Sequence, residues 1–119
     1  MVDLDPSYLV GAGGMLGAVL RYVVSEVVEV EGFPAGTLTV NVVGSFVLGF
    51  VTFLGVGGDV LLFVGTGACG SFTTFSSFSF DTVRLWETDE RYKSIAYATL
   101  NLAGSLLAIG VAWGVTRLY

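Results

Sequence analysis

The chain has no histidine among its 119 residues. The commonest general base and metal ligand is therefore missing. Cysteine occurs once, as Cys69 in an apolar segment, so an internal disulfide is excluded. Charge is scarce as well. Asp, Glu, Lys and Arg make up 13% of the chain, against about 25% in a soluble domain. Five basic residues face ten acidic ones, which argues against a nucleic-acid partner. No G-x-x-x-x-G-K-S/T loop is present, so nucleotide-driven work is not expected. The first residues carry Asp3 and Asp5 instead of a basic stretch, so no cleavable signal pattern is read there. Nothing in this inventory points to an enzyme.

What fills the chain is apolar. Hydrophobic residues reach 54% and the mean hydropathy is +0.82. The charges gather near residues 1–6, 26–31 and 81–93, leaving long uncharged stretches between them. This is the pattern of an integral membrane protein of one domain. A spanning helix needs about 20 apolar residues to cross a core of about 30 Å. Four segments meet that need, at about residues 8–28, 35–56, 60–80 and 94–116. The expected fold class is all-α, with four transmembrane helices.

The first segment holds Gly13-x-x-x-Gly17, a small-residue face for close helix contact, and Arg21. Pro34 suits the start of the second segment, which places Asn41 among aliphatic residues. Gly55–Gly58 with Asp59 reads as a tight turn. Trp86, Trp113 and Tyr119 fall near segment ends, where amphipathic aromatics prefer the membrane interface. The third segment is interrupted by GTGACGSFTTFSSFSFD, Gly65 to Asp81. Glycines permit close approach or unwinding, and hydroxyls re-satisfy freed backbone groups. Non-helical backbone at membrane depth is tolerated only inside protein or along an aqueous cavity. A break in the third span, and a site at the break, are therefore expected.

Several polar residues lie at membrane depth, and each has two readings. Arg21 is an interfacial anchor or a positive charge at a pore mouth. Asn41 is an interhelical hydrogen bond or a donor on a solute path. Tyr97, Asn101 and Ser105, spaced i, i+4, i+8, form a stripe that is packing glue or a ladder for a moving polar species. Thr73, Thr74, Ser76, Ser77 and Ser79 add hydroxyls, so the polar content exceeds what packing needs. No carboxylate sits deep in a span: Asp81 and Glu26 are near segment ends. That favours a neutral or anionic solute over a proton- or cation-coupled one. Phe75 and Phe78, spaced i, i+3, serve packing or turn positive ring edges toward an anion.

At these residues the chain resembles the Fluc (CrcB) fluoride channel family. The likeness runs through GGMLGAVLRY (Gly13–Tyr22), PAGTLTVNVVGSFVLG (Pro34–Gly49), GACGSFTTFSSFSFDT (Gly67–Thr82) and the Tyr97/Asn101/Ser105 stripe. It implies passive, fluoride-selective export through a multi-pass protein of the cell membrane. It also implies an antiparallel dimer with two pores, formed with a second copy or a paralogous subunit in the lipid bilayer. By the same likeness, backbone carbonyls of Gly70 and Thr73 hold a structural sodium ion (Na⁺) at the dimer centre. The fluoride path takes Asn41, Phe75, Phe78, Tyr97, Asn101 and Ser105, with the hydroxyls of Thr74, Ser76 and Ser77 beside it. Arg21 stands in the vestibule. Two positions depart from the family pattern: Asn101 stands where Ser is frequent, and Asp81 where Glu is frequent.

Two other readings belong to different classes. A proton-coupled exporter of the small multidrug resistance type relies on a carboxylate in the middle of its first span, where this chain has none. A non-transporting assembly subunit would confine its polar residues to helix contacts. Arg84, Arg91 and Lys93 on one side against Arg117 on the other leave the membrane orientation and the choice of dimer partner open.

Overall fold

Asp5 and Pro6 start the first helix. In the computed structural model, which describes residues 5–118, the Asp5 carboxylate accepts the Ser7 N–H at 2.9 Å. Pro6 takes the first helical position, where its missing N–H costs nothing. Helix α1 runs over Pro6–Val27 and α2 over Ala35–Leu54. Gly55, in the left-handed conformation at φ 71°, ends α2 as only glycine does readily. The third rod is composite. A short α3 (Gly58–Val60) passes into a π-helix (Leu61–Cys69) and then α4 (Gly70–Phe72). Thr73 and Thr74 are extended, and α5 (Phe75–Glu87) resumes beyond them. A turn through Asp89, at φ 62°, leads to α6 (Arg91–Thr116).

The described residues are thus all-helical apart from their connections, and four rods are long and apolar enough to cross a membrane. The third covers Gly58–Glu87, 30 residues with the interruption included. It continues past Phe80, and α6 starts at Arg91, a little before the stretch read from hydropathy. Tyr119 lies outside the described residues. The tryptophans do sit at helix ends: Arg91 stacks over Trp86 and Arg117 over Trp113, each with its guanidinium carbon 5.1 Å from the ring centroid.

Helix α1 packs on the π-helix and α4, while α2 packs on α6. The Gly13-x-x-x-Gly17 face is the α1 contact. A Cβ at Gly13 would run into the Phe63 carbonyl, and one at Gly17 into the Ala68 carbonyl. From the other side, a Cβ at Gly67 would come within 2.7 Å of the Val10 carbonyl. Lipid tails are as apolar as leucine, so helices in a bilayer gain little by hiding leucine from their surroundings. Close backbone approach through small residues supplies the attraction instead. The outward faces agree: Leu102, Leu106 and Leu107 of α6 are 60–69% exposed. In water each such leucine would forgo about 1.5–3 kcal/mol of burial; in hydrocarbon there is no such loss. The protein is a multi-pass membrane protein.

Gly17→Ala is expected to cost about 1–3 kcal/mol, the usual range for overpacking a close contact. Helix unfolding in detergent, followed by circular dichroism, measures it. Gly11→Ala, with nothing within 4 Å of the added Cβ, is the neutral control.

Candidate functional site

A broken helix inside a membrane must find partners for the backbone groups it frees, because no solvent is at hand to take them. At Thr73 and Thr74 those partners come from α2. The Asn41 side chain accepts the Thr74 N–H through Oδ1 at 2.8 Å and donates Nδ2–H to the Thr74 carbonyl at 3.1 Å. The pairing fixes which end of the amide is nitrogen, since an N–H needs an oxygen and a C=O needs a donor. Its second Nδ2–H goes to Asn101 Oδ1 on α6 at 2.9 Å. Asn101 in turn donates to the Tyr97 carbonyl at 2.9 Å. One amide therefore splices α2, the break and α6. Gly44, one turn below Asn41, leaves room for Thr73: a Cβ there would overlap the threonine methyl.

The break differs from the glycine-based unwinding expected of this stretch. Gly70 is helical, at φ −61° and ψ −33°, and the extended residues are the two threonines. Beyond them Thr74 caps α5, its Oγ1 accepting the Ser77 N–H at 3.1 Å. The consequence is electronic. In a continuous helix the Thr74 N–H would bond the Gly70 carbonyl, and the Ser77 N–H the Thr73 carbonyl. Both donors are diverted, to Asn41 and to the Thr74 hydroxyl. The Thr73 carbonyl has instead a 3.5 Å contact from the Arg21 guanidinium. Gly70 and Thr73 thus present carbonyl oxygens released from helical duty. Among the described residues no three His, Cys, Asp or Glu side chains gather to hold a metal ion, and the oxygens at the break are those of carbonyls, hydroxyls and amides.

Two hollows flank the break. The larger, about 780 Å³, is lined by Asn41, Gly70, Thr73, Thr74, Phe75, Phe78, Asn101 and Ser105 among others. Phe75 is 79% exposed on its wall, so the hollow opens to the molecular surface. The Phe75 and Phe78 rings stand 5.8 Å apart and tilted by 48°. The smaller hollow, about 370 Å³, is lined by Arg21, Thr37, Val40, Thr74 and Ser77 with their neighbours. Neither hollow has an acidic residue in its lining.

The sequence-derived candidates divide accordingly. Asn41, Thr74, Phe75, Phe78, Asn101 and Ser105 meet at the larger hollow; Arg21 and Ser77 meet Thr74 at the smaller. Tyr97 lines neither. It is fully buried, edge-on to Phe33 at 5.6 Å and 5.7 Å from the Phe78 ring, with its hydroxyl 3.3 Å from Asp81 Oδ2. Ser76 is exposed, and its only side-chain hydrogen bond among the described residues is to the Thr74 hydroxyl, 3.3 Å away. Sequence reasoning passed over Ser45 and Thr66, which line the larger hollow, and Thr37, which lines the smaller. Ser45 stands four residues after Asn41, one turn along the same face, so helical spacing alone could have found it.

Four spans, one of them broken where polar side chains and two hollows gather, define a small helical membrane protein with a polar centre. The chain belongs to the CrcB family: the model described as CrcB-like protein, Camphor Resistance (CrcB), matches residues 8–114. A protein of Haloarcula marismortui named fluoride-specific ion channel FluC 2 is 56% identical over 118 residues, 99% of each chain. Fluoride-specific ion channel FluC 1 of Halobacterium salinarum is 52% identical over 91% of each chain. The fluoride-specific ion channel FluC of Methanocaldococcus jannaschii is 42% identical over 85% of this chain and 86% of its own.

Asn41→Leu removes all three bonds at the break. Because it orphans the Thr74 N–H, while the Thr74 carbonyl keeps its helical bond as the N-cap of α5, we expect a loss of about 1–3 kcal/mol. Hydrogen exchange at the Thr74 amide should accelerate markedly, while amides in the α1 interior stay protected.

Proposed function

We propose that the protein is a fluoride-selective channel of the cell membrane, not an enzyme, that exports fluoride passively and so lowers its cytoplasmic level. The observation that carries the reading is the acid-free hollow at the broken span, in a chain whose relatives are named fluoride-specific ion channels. Fluoride is small and strongly hydrated, so a narrow path must replace its water with donors. Thr74, Ser77, Asn101 and Ser105 supply neutral ones, and Asn41 joins them where an ion takes over one of its two bonded N–H groups. Phe75 and Phe78 add positive ring edges without a full charge. Several moderate sites let an ion leave as well as enter. Arg21 raises the local anion concentration at the mouth of the smaller hollow.

The working unit in this reading is an antiparallel dimer with two pores. The open larger hollow of one protomer is walled by a second copy or a paralogous subunit. A structural sodium ion would be held by the Gly70 and Thr73 carbonyls at the junction. The fit rests on those carbonyls having lost their helical donors. Oxygen-only donors suit a hard monovalent cation, and the ion would supply the positive charge that two facing sets of carbonyls lack. Tyr97, away from both hollows, acts on the path by buttressing Phe78.

Liposomes carrying the protein alone should release fluoride, and not chloride, down its gradient without ATP or a proton gradient. Equal leak of both ions, or none, would overturn the channel reading. Protein kept throughout in a large organic cation should gain thermal stability on titration with sodium at constant ionic strength. The gain is about 2.7 kcal/mol at a hundred times the dissociation constant. A flat titration would remove the sodium site and leave the channel standing.

A further inference from the structure

Helices α2 and α6 run parallel and in register. Both start at the end of the molecule where Lys93 Nζ lies 3.4 Å from the Gly32 carbonyl, and both lead away from it. Asn41 meets Asn101 at 2.9 Å. Eight residues further along each helix, a Cβ at Gly49 would stand 3.5 Å from the Ile109 Cα. Ser45 and Ser105 occupy the matching places between these two contacts, one turn and about 6 Å beyond the asparagines. Both line the larger hollow, and both are half-buried. Neither hydroxyl has a hydrogen bond among the described residues. Thr39 and Thr52 of α2, which line neither hollow, behave otherwise: they donate to the Ala35 and Leu48 carbonyls at 2.8 and 2.7 Å. That is the local bond a hydroxyl makes to its own helix when nothing else calls on it. Leu48, Cys69 and Leu102 share the wall with the two serines, so free donors stand in a largely apolar setting.

We propose that Ser45 and Ser105 form an anion station in the larger hollow, where hydroxyls from two facing helices donate to one small monovalent anion. The proposal rests on the channel reading and adds Ser45 to it, which gives the α6 stripe a counterpart on α2. A hydroxyl already bonded to its own helix must first be released before it can serve an ion; these two are free at once. Hydrogen bonds to an ionised acceptor are roughly twice as strong as neutral ones. Two neutral donors therefore replace part of the ion's hydration, yet they carry no full charge that would trap it. Fluoride concentrates its charge in a small volume and gains more from each donor than chloride does. The competing occupant is a cation, because hydroxyl oxygens also suit sodium, and Gly70 and Thr73 line the same hollow.

The test is fluoride and chloride efflux from liposomes holding the wild type, Ser45→Ala, Ser105→Ala or the double variant. Thr52→Val is the control, and each protein is also followed by its melting temperature and its sodium titration. Alanine removes the hydroxyl and keeps the Cβ. Fluoride efflux in Ser45→Ala should fall about 10-fold, the lower end of what one hydrogen bond to a charged group contributes. Its melting temperature should hold, and its preference for fluoride over chloride should shrink. Donors that share one ion are coupled, so the loss in the double variant should depart from the product of the single losses. Thr52→Val should conduct as the wild type does. If Ser45→Ala does not elute as the wild type on size exclusion, Ser45→Cys, of similar shape and a weaker donor, carries the test with the same expected fall. Wild-type fluoride efflux in the folded variant overturns the station, and so do losses that simply multiply. A lower melting temperature with efflux unchanged makes the serines packing glue. A shifted sodium midpoint with efflux unchanged assigns the hydroxyl to the cation; either result overturns the proposal. Absence of fluoride efflux from the wild type overturns the channel reading itself, so the two failures are told apart.

Discussion

Everything at the centre of this molecule follows from one requirement: backbone polar groups in hydrocarbon must be paired within the protein. Two extended threonines interrupt the four helical bonds that would run from the N–H groups of residues 74–77 to the carbonyls of residues 70–73. The Asn41 amide takes the N–H and the C=O of Thr74 together, imitating the partner that a neighbouring strand would offer. The Thr74 hydroxyl takes the Ser77 N–H and starts α5. Of the residues whose carbonyls lose a helical donor, Gly70 and Thr73 line the larger hollow. The polar character of the site is thus the residue of a hydrogen-bond count, left after the break has been made safe.

The same economy governs packing. Glycines at positions 13, 17 and 67 bring α1 and the π-helix into backbone contact, so the rod that carries the break is anchored on its first half. Helix α6, packed on α2, anchors the other half through the Ser94 hydroxyl, which donates to the Thr82 carbonyl, and through Tyr97, which supports Phe78. The break lies where two separately anchored halves meet.

The four rods and the polar third span were legible in the sequence because hydropathy and residue type report them directly. Gly13 and Gly17 were legible for the same reason, a spacing of one helical turn. The position of the break was less so. Glycine frees the chain locally, which drew attention to the GTGACG run, yet Gly67 serves close approach, Gly70 stays helical, and the threonines do the unwinding. Threonine betrays this only once Asn41, 33 residues earlier, is known to face it. The π-helix had no periodic signature over nine residues. Tyr97 shared a helical stripe with Asn101 and Ser105, but a stripe gives a direction on the helix axis and not what stands opposite. Phe33 and Phe78 cover the tyrosine and keep it off the hollow.

The stacked pairs at the helix ends make bilayer thickness a mechanical input. Helix α6 has 26 residues between its Arg91 and Arg117 ends, and each of these arginines lies on a tryptophan that favours the interface. At 1.5 Å per residue that is about 39 Å, against a hydrocarbon core of about 30 Å. The helix accommodates the difference by tilting or by standing partly in the headgroup zone. Tilt of α6 is shared with α2, its packing partner, and the Asn41–Asn101 bond crosses between them. Lipids of different acyl length therefore load that single bond differently.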